Sequence, residues 1–143
     1  MRRAFGALLI ALVVAGCGDP GPPAGGAGNV TTDAPPPSKV WFGSAFDPAS
    51  FALTDKATAA KQGTPVVAVG RLLTAREPDG VSVQISTGGS VRLKLAVAAG
   101  ATGPTDLYGV DLTGSNLGPA TYIVSFVDAR GSVLASGNLN ITP

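Results

Sequence analysis

Over much of the chain, apolar and polar side chains alternate with a period of two. Val81, Val83 and Ile85 alternate with Ser82, Gln84 and Ser86, and Val91, Leu93, Leu95 and Val97 alternate with Arg92, Lys94, Ala96 and Ala98. Val133, Ala135, Leu139 and Ile141 share one parity, while Ser136, Asn138 and Asn140 share the other. Successive side chains of a strand point to opposite faces, so each run predicts a strand with one buried and one wet face. Less regular strands are predicted near residues 40–46, 66–73, 107–112 and 121–128. Between them stand turn formers: Glu77-Pro78-Asp79-Gly80, Thr87-Gly88-Gly89-Ser90 and Asp128-Ala129-Arg130-Gly131. Proline's fixed φ and glycine's tolerance of positive φ suit hairpins at these points. Only residues 49–62 have room for a helical turn, and they read better as an irregular crossover. About seven strands at this spacing predict one all-β domain over residues 38–143, a single antiparallel β-sandwich.

Ahead of that domain the pattern changes twice. Residues 18–37 are about half Gly and Pro. Such a segment has too little apolar surface to repay ordering, and its prolines prevent regular hydrogen bonding, so it reads as a disordered tether. Residues 4–15 are an apolar stretch preceded by Arg2 and Arg3. That length suits the core of a signal peptide and is too short to span a bilayer comfortably. The stretch ends Val14-Ala15-Gly16-Cys17, which resembles the lipobox of bacterial lipoproteins. The resemblance implies a signal peptide over 1–16, cleavage between Gly16 and Cys17, and diacylglycerol on the Cys17 sulfur, usually with a third chain on the new amino group. Residues 17–37 would then be the lipidated cysteine and its tether. Each buried methylene contributes about 0.8 kcal/mol, so two or three chains anchor durably where one does not. The implied location is the extracytoplasmic side of a membrane, either the cell membrane or the outer membrane.

Near the C-terminus, Asp111-Leu112 and then Leu117-Gly118-Pro119-Ala120-Thr121-Tyr122-Ile123-Val124 resemble the approach to the tyrosine corner of immunoglobulin-like and fibronectin-type domains. In such a corner the tyrosine hydroxyl bonds back to upstream backbone and pins the connection between two strands. The resemblance implies that role for Tyr122 and an immunoglobulin-like form for the sandwich. Many such domains carry glycine after the proline, where this chain has Ala120. The Cys–Trp–Cys core of antibody domains is absent from the sequence.

Composition narrows the chemistry. The formal net charge is +1, and removal of Arg2 and Arg3 leaves eight basic against nine acidic side chains. A nucleic-acid binder needs a basic surplus, so no nucleic-acid partner is expected. The chain has no histidine, and Cys17 is its one cysteine. That excludes Cys/His zinc sites, imidazole catalysis and an intrachain disulfide. The carboxylates Asp47, Asp55, Glu77, Asp79, Asp106, Asp111 and Asp128 are scattered, and no loop holds the several oxygens that calcium requires. Lysines and serines are present without an S-x-x-K motif. No catalytic residue, metal or cofactor is expected, and the chain reads as a non-enzyme.

What remains is surface. If Tyr122, Val124 and Phe126 face inward, Ile123 and Val127 face outward. Likewise, if Val40, Phe42 and Phe46 are core, Trp41 lies on the other face or at an edge. Exposed aromatic and branched residues mark contact surfaces, so Trp41, Ile123 and Val127 are the candidate contacts for a protein or glycan partner in the cell envelope. The plainer alternative is that the tether or the 49–62 crossover covers them. Two functions fit: a membrane-anchored binding or accessory module, or a structural envelope component acting as a spacer or assembly part.

Overall fold

The computed structural model describes residues 28–97 and 103–143. Gly16, Cys17 and the rest of the expected signal segment lie outside the described residues. The described strands are β1 (Val30–Thr31), β2 (Lys39–Gly43), β3 (Ala45–Phe46), β4 (Leu53–Thr54), β5 (Ala59–Lys61) and β6 (Val67–Arg76). They continue with β7 (Val81–Thr87), β8 (Ser90–Ala96), β9 (Thr105–Asp111), β10 (Ala120–Asp128) and β11 (Val133–Thr142). The remaining regular structure is two 3-10 turns, Pro78–Gly80 and Thr113–Ser115. The protein is all-β.

Two of the three expected hairpins form where the turn residues stand; at Pro78–Gly80 a 3-10 turn instead joins β6 to β7, which do not pair. Gly88 and Gly89 take φ of 55° and 79° between β7 and β8, a conformation in which a Cβ would be strained. Between β10 and β11 the chain reverses through Gly131, at φ 85°. There the Asp128 carboxylate accepts from the Arg130 and Ser132 amides, both at 2.9 Å.

These strands do not form the expected pair of purely antiparallel sheets. Eight of them make one sheet in the order β8-β7-β10-β11-β2-β6-β9, with β5 also on β11, and the sheet curls into a half-barrel. Its two halves join at β11, whose pairings with β2 and β5 are parallel. Gly137 makes the join possible. A Cβ there would stand 2.6 Å from the Val40 carbonyl oxygen, so only a glycine admits β2 this close.

The alternating residues meet inside the curl. Val40 and Phe42, Val83 and Ile85, Val124 and Phe126, and Leu139 and Ile141 are all buried in one cluster with Tyr108 and Val110. Burying each large apolar side chain contributes about 1.5–3 kcal/mol, which is the main force holding the two halves together. The Phe126 ring fills the notch at Gly70, where a Cβ would lie 2.5 Å from it. The Tyr108 hydroxyl donates to the Arg76 carbonyl, and burial raises the phenol's pKa.

A second apolar cluster lies on the opposite face of β6. Val67 and Val69 point away from the main core and meet Phe51 and Leu53, with Trp41, Phe46 and Leu107 around them. This explains the unbroken apolar run at residues 66–69, since β6 is buried on both faces. Phe46, expected in the main core beside Phe42, belongs to this outer cluster and stacks on Phe51 at 5.9 Å. The 49–62 crossover supplies the lid, and it contains β4 and β5 rather than irregular chain alone.

The lid also draws in residues ahead of Ser38, where the sequence pattern placed the end of a disordered tether. Thr31 pairs with Leu53 and Val30 with Thr54, giving a small sheet ordered β1-β4-β3. Pro35 is fully buried. Two β-branched residues sufficed for a ladder because β4 offered a free edge and Asp55 holds the incoming chain. Its amide donates to the Asn29 carbonyl at 2.9 Å, and its carboxylate accepts from the Asn29 amide at 3.2 Å.

Candidate functional site

The seam at β11 leaves a gap. β2 pairs with β11 at Ser136↔Lys39, and β5 takes over from Asn140↔Ala59 to Thr142↔Lys61. Across Gly137–Leu139 the ladder has no register pair on that side. An open groove of about 710 Å³ lies here, within the size range of small-ligand sites.

One wall is β2, with Trp41 half-buried and set against the outer apolar cluster. The crossover closes the end. The Ala57 amide donates to the Phe42 carbonyl at 3.0 Å, and the Asn140 amide donates to the Thr58 carbonyl at 2.9 Å. Between these two tie-points and the β4 strand stands Lys56, whose ammonium lies 3.0 Å from the centroid of the Trp41 ring, a cation–π contact. Its neighbour Asp55 is committed elsewhere, accepting from the Ser44 hydroxyl at 3.0 Å as well as from Asn29. The opposite wall is made of outward side chains from paired strands: Thr121 on β10, then Asn138 and Asn140 on β11. Thr121 and Asn140 are register partners, and the Thr121 hydroxyl makes a long 3.4 Å contact with the Asn140 side-chain oxygen.

The sequence candidates separate here. Trp41 lines the groove. Ile123 is 47% exposed and sits opposite Asn138 in register, so it adjoins the groove on the same face. From Ile123 an outward row continues through Ser86 to Val91, which is 53% exposed.

Val127 is not a surface residue. It is 1% exposed, and the expectation that it joins Ile123 in an outward strip is corrected. Its pairing with β7 runs unbroken through Phe126↔Val83 and Val127↔Ser82, so Val127 keeps the outward parity and is buried on that face, as Ser125 is at 8% exposure. Alternation gives the face a side chain takes and not whether that face is covered. In this central strand Val124, Ser125, Phe126 and Val127 are all buried.

The Tyr122 hydroxyl donates to the Gly118 carbonyl, four residues upstream, at 3.0 Å. Lys56, Thr121, Asn138 and Asn140 were not among the sequence candidates. For the asparagines the signal was their shared outward parity. For Lys56 there was none, because its place depends on the path of the crossover.

The carboxylates with lowered pKa, Asp111 and Asp128, lie outside this groove. Bonds from Thr113 hold Asp111 low, and bonds led by the Ser132 amide hold Asp128 low. No family model matches the chain, and no curated protein matches it.

Proposed function

We propose that this chain is a lipid-anchored extracytoplasmic binding module that works by contact rather than by turnover. On this reading Cys17 carries the lipid, and the curled sheet is an immunoglobulin-like sandwich fused along one seam. The groove beside Trp41 receives the partner. One observation carries the proposal: the seam leaves an open groove that combines the Trp41 ring, a cation and four uncharged polar side chains. The sequence supports contact over catalysis, since it has no histidine and its one cysteine is the acyl acceptor.

The clasp at Asp55 adds a spatial consequence. The incoming chain meets the domain at Gly28, against Thr54 and Asp55, one residue from the lysine over Trp41. Cys17 and Gly28 are eleven residues apart in sequence, a length of chain that cannot exceed about 40 Å. The groove therefore opens close to the anchor, and its partner is to be sought near the membrane surface.

The test has two arms. Fatty-acid labelling of the full chain should disappear in Cys17→Ser, and persistent labelling would refute the anchor. Membrane pull-down with the intact lipoprotein should retain partners that Trp41→Ala loses. If Trp41→Ala retains everything while deletion of residues 18–27 causes the defect, the spacer reading replaces this one.

A further inference from the structure

We propose that the Trp41 groove binds a carboxylated saccharide strand, with Lys56 as the anion contact and Asn138, Asn140 and Thr121 bonding the sugar hydroxyls. This deepens the binding-module reading and rests on it.

Charge is the first argument. Lys56 is the one charged residue lining the groove, and no carboxylate lines it. The nearest acidic neighbour in sequence, Asp55, is spent on Asn29 and Ser44. The one ion pair among the described residues joins Arg71 and Asp106. Lys56 instead rests on an aromatic ring, a weaker partner than a carboxylate at close range. Lys39 adds a second cation two residues before Trp41, and the two-residue spacing puts both on the same strand face.

The uncharged wall is the second argument. Amides and hydroxyls both donate and accept, as sugar hydroxyls do, so Asn138, Asn140 and Thr121 suit a polyhydroxylated chain. An anionic lipid surface would require a cluster of cations, and this wall has none.

The third argument is the arrangement of Lys56 on Trp41. A ligand carboxylate draws the ammonium off the ring and uncovers an apolar platform backed by Val67 and Val69, on which the C–H face of a sugar can lie. Charge recognition and ring stacking are thereby linked through one residue. A saccharide lacking the carboxylate leaves the ring covered.

Trp41 is the only tryptophan in the chain, so its fluorescence reports on this groove alone. The test titrates the detergent-solubilised full chain with a tetramer of galacturonic acid, a tetramer of galactose, and vesicles of anionic phospholipid. The uronate should give a saturable change in emission, with galactose at least about tenfold weaker, as expected for one charge-assisted bond. Lys56→Gln should weaken uronate binding by about the same factor and should not weaken galactose, since no cation then holds the ring covered. Asn138→Ala with Asn140→Ala should weaken both sugars, while Val133→Ser, 62% exposed at the far end of β11, should alter neither.

Equal response to both sugars would overturn the carboxylate assignment. A response to vesicles alone would overturn the saccharide in favour of a lipid surface. Silence from all three probes, with Trp41→Ala still losing a pull-down partner, would end the saccharide proposal and leave the binding-module reading standing. Thermal unfolding of each variant shows whether a lost signal is a lost fold.

Discussion

The outer faces of the two halves of the sheet meet different surroundings. On β2, β6 and β9 the outward residues include Trp41, Val67, Val69 and Leu107, and the crossover covers them with Phe51 and Leu53. On β7, β10 and β11 the outward residues include half-buried Ser82, Gln84 and Ser86 and exposed Ile123, Asn138 and Asn140, with only Ser125 and Val127 of β10 buried among them. Both halves share one inner core and one strand geometry. What differs is the chemistry of the alternate residues, which decides whether a half needs a lid. The groove forms at the border, where an apolar ring from the lidded half faces amides from the open half.

Removing the lid's central contact should produce the largest effect. Leu53 is 2% exposed, and Leu53→Ala should destabilise the protein by about 2–5 kcal/mol through lost burial and a residual cavity. Ile123→Ser on the open half should change stability by less than about 0.5 kcal/mol. Urea denaturation of the two variants makes the measurement. Equal costs would mean that the lid is not integral to the fold, and the contrast between the halves would fail.

The seam comes next. Gly137→Ala places a methyl group against the Val40 carbonyl, and neither strand has room to yield without losing pairing. A cost of about 1–3 kcal/mol is expected, typical of overpacking. Hydrogen exchange should quicken at Val40–Phe42 while β7 and β8 keep their protection. Uniformly faster exchange would show that the halves do not separate at this line.

A smaller effect is expected at the corner of the open half. Tyr122→Phe removes the bond to the Gly118 carbonyl and should cost about 1 kcal/mol, since that carbonyl is left without its donor. Unchanged stability would mean that the ladder alone holds this connection.

How much of this was legible depends on the range of the forces involved. β7 and most of β8 follow from local alternation, and the hairpin between them follows from Gly88-Gly89. Val91, expected on the face of Leu93 and Leu95, stands exposed opposite Ser86 beyond a register shift at Arg92. β1, β4 and β5 span two or three residues each, too few for any period, and they exist only because partners distant in sequence offer edges. The parallel seam was illegible for the same reason. Gly137 reads locally as a weak strand residue, and its meaning lies in the approach of Val40. Val127 has the outward parity the pattern assigns it, opposite Ser82, but parity cannot show that this part of the face is covered. Of the groove, only Trp41 was visible in advance. Its partners come from Lys56 in the crossover and from β10 and β11.

The smallest expected effect concerns acid, and it compares one carboxylate from each half. Asp111 ends β9 in the lidded half, and its carboxylate accepts from the Thr113 amide at 2.8 Å. Asp128 closes the hairpin of the open half through the Arg130 and Ser132 amides. Both pKa values lie below the ordinary aspartate value, for Asp111 chiefly through the Thr113 side chain and for Asp128 chiefly through the Ser132 amide. A pKa lower in the folded than in the unfolded chain means that the unfolded state takes up protons first as pH falls. The stabilisation is therefore complete above the unfolded value of about 4 and is lost as pH drops below it, through the folded value. Thermal unfolding followed from neutral pH to about pH 2 should show the midpoint falling through that window. Asp111→Asn and Asp128→Asn should each start lower at neutral pH and fall less on acidification, because neither has that proton to gain. Both groups are solvent-accessible, so the shifts in midpoint should be small. If neither substitution flattens the acid limb, the bonds to Thr113 and Ser132 do not set these titrations.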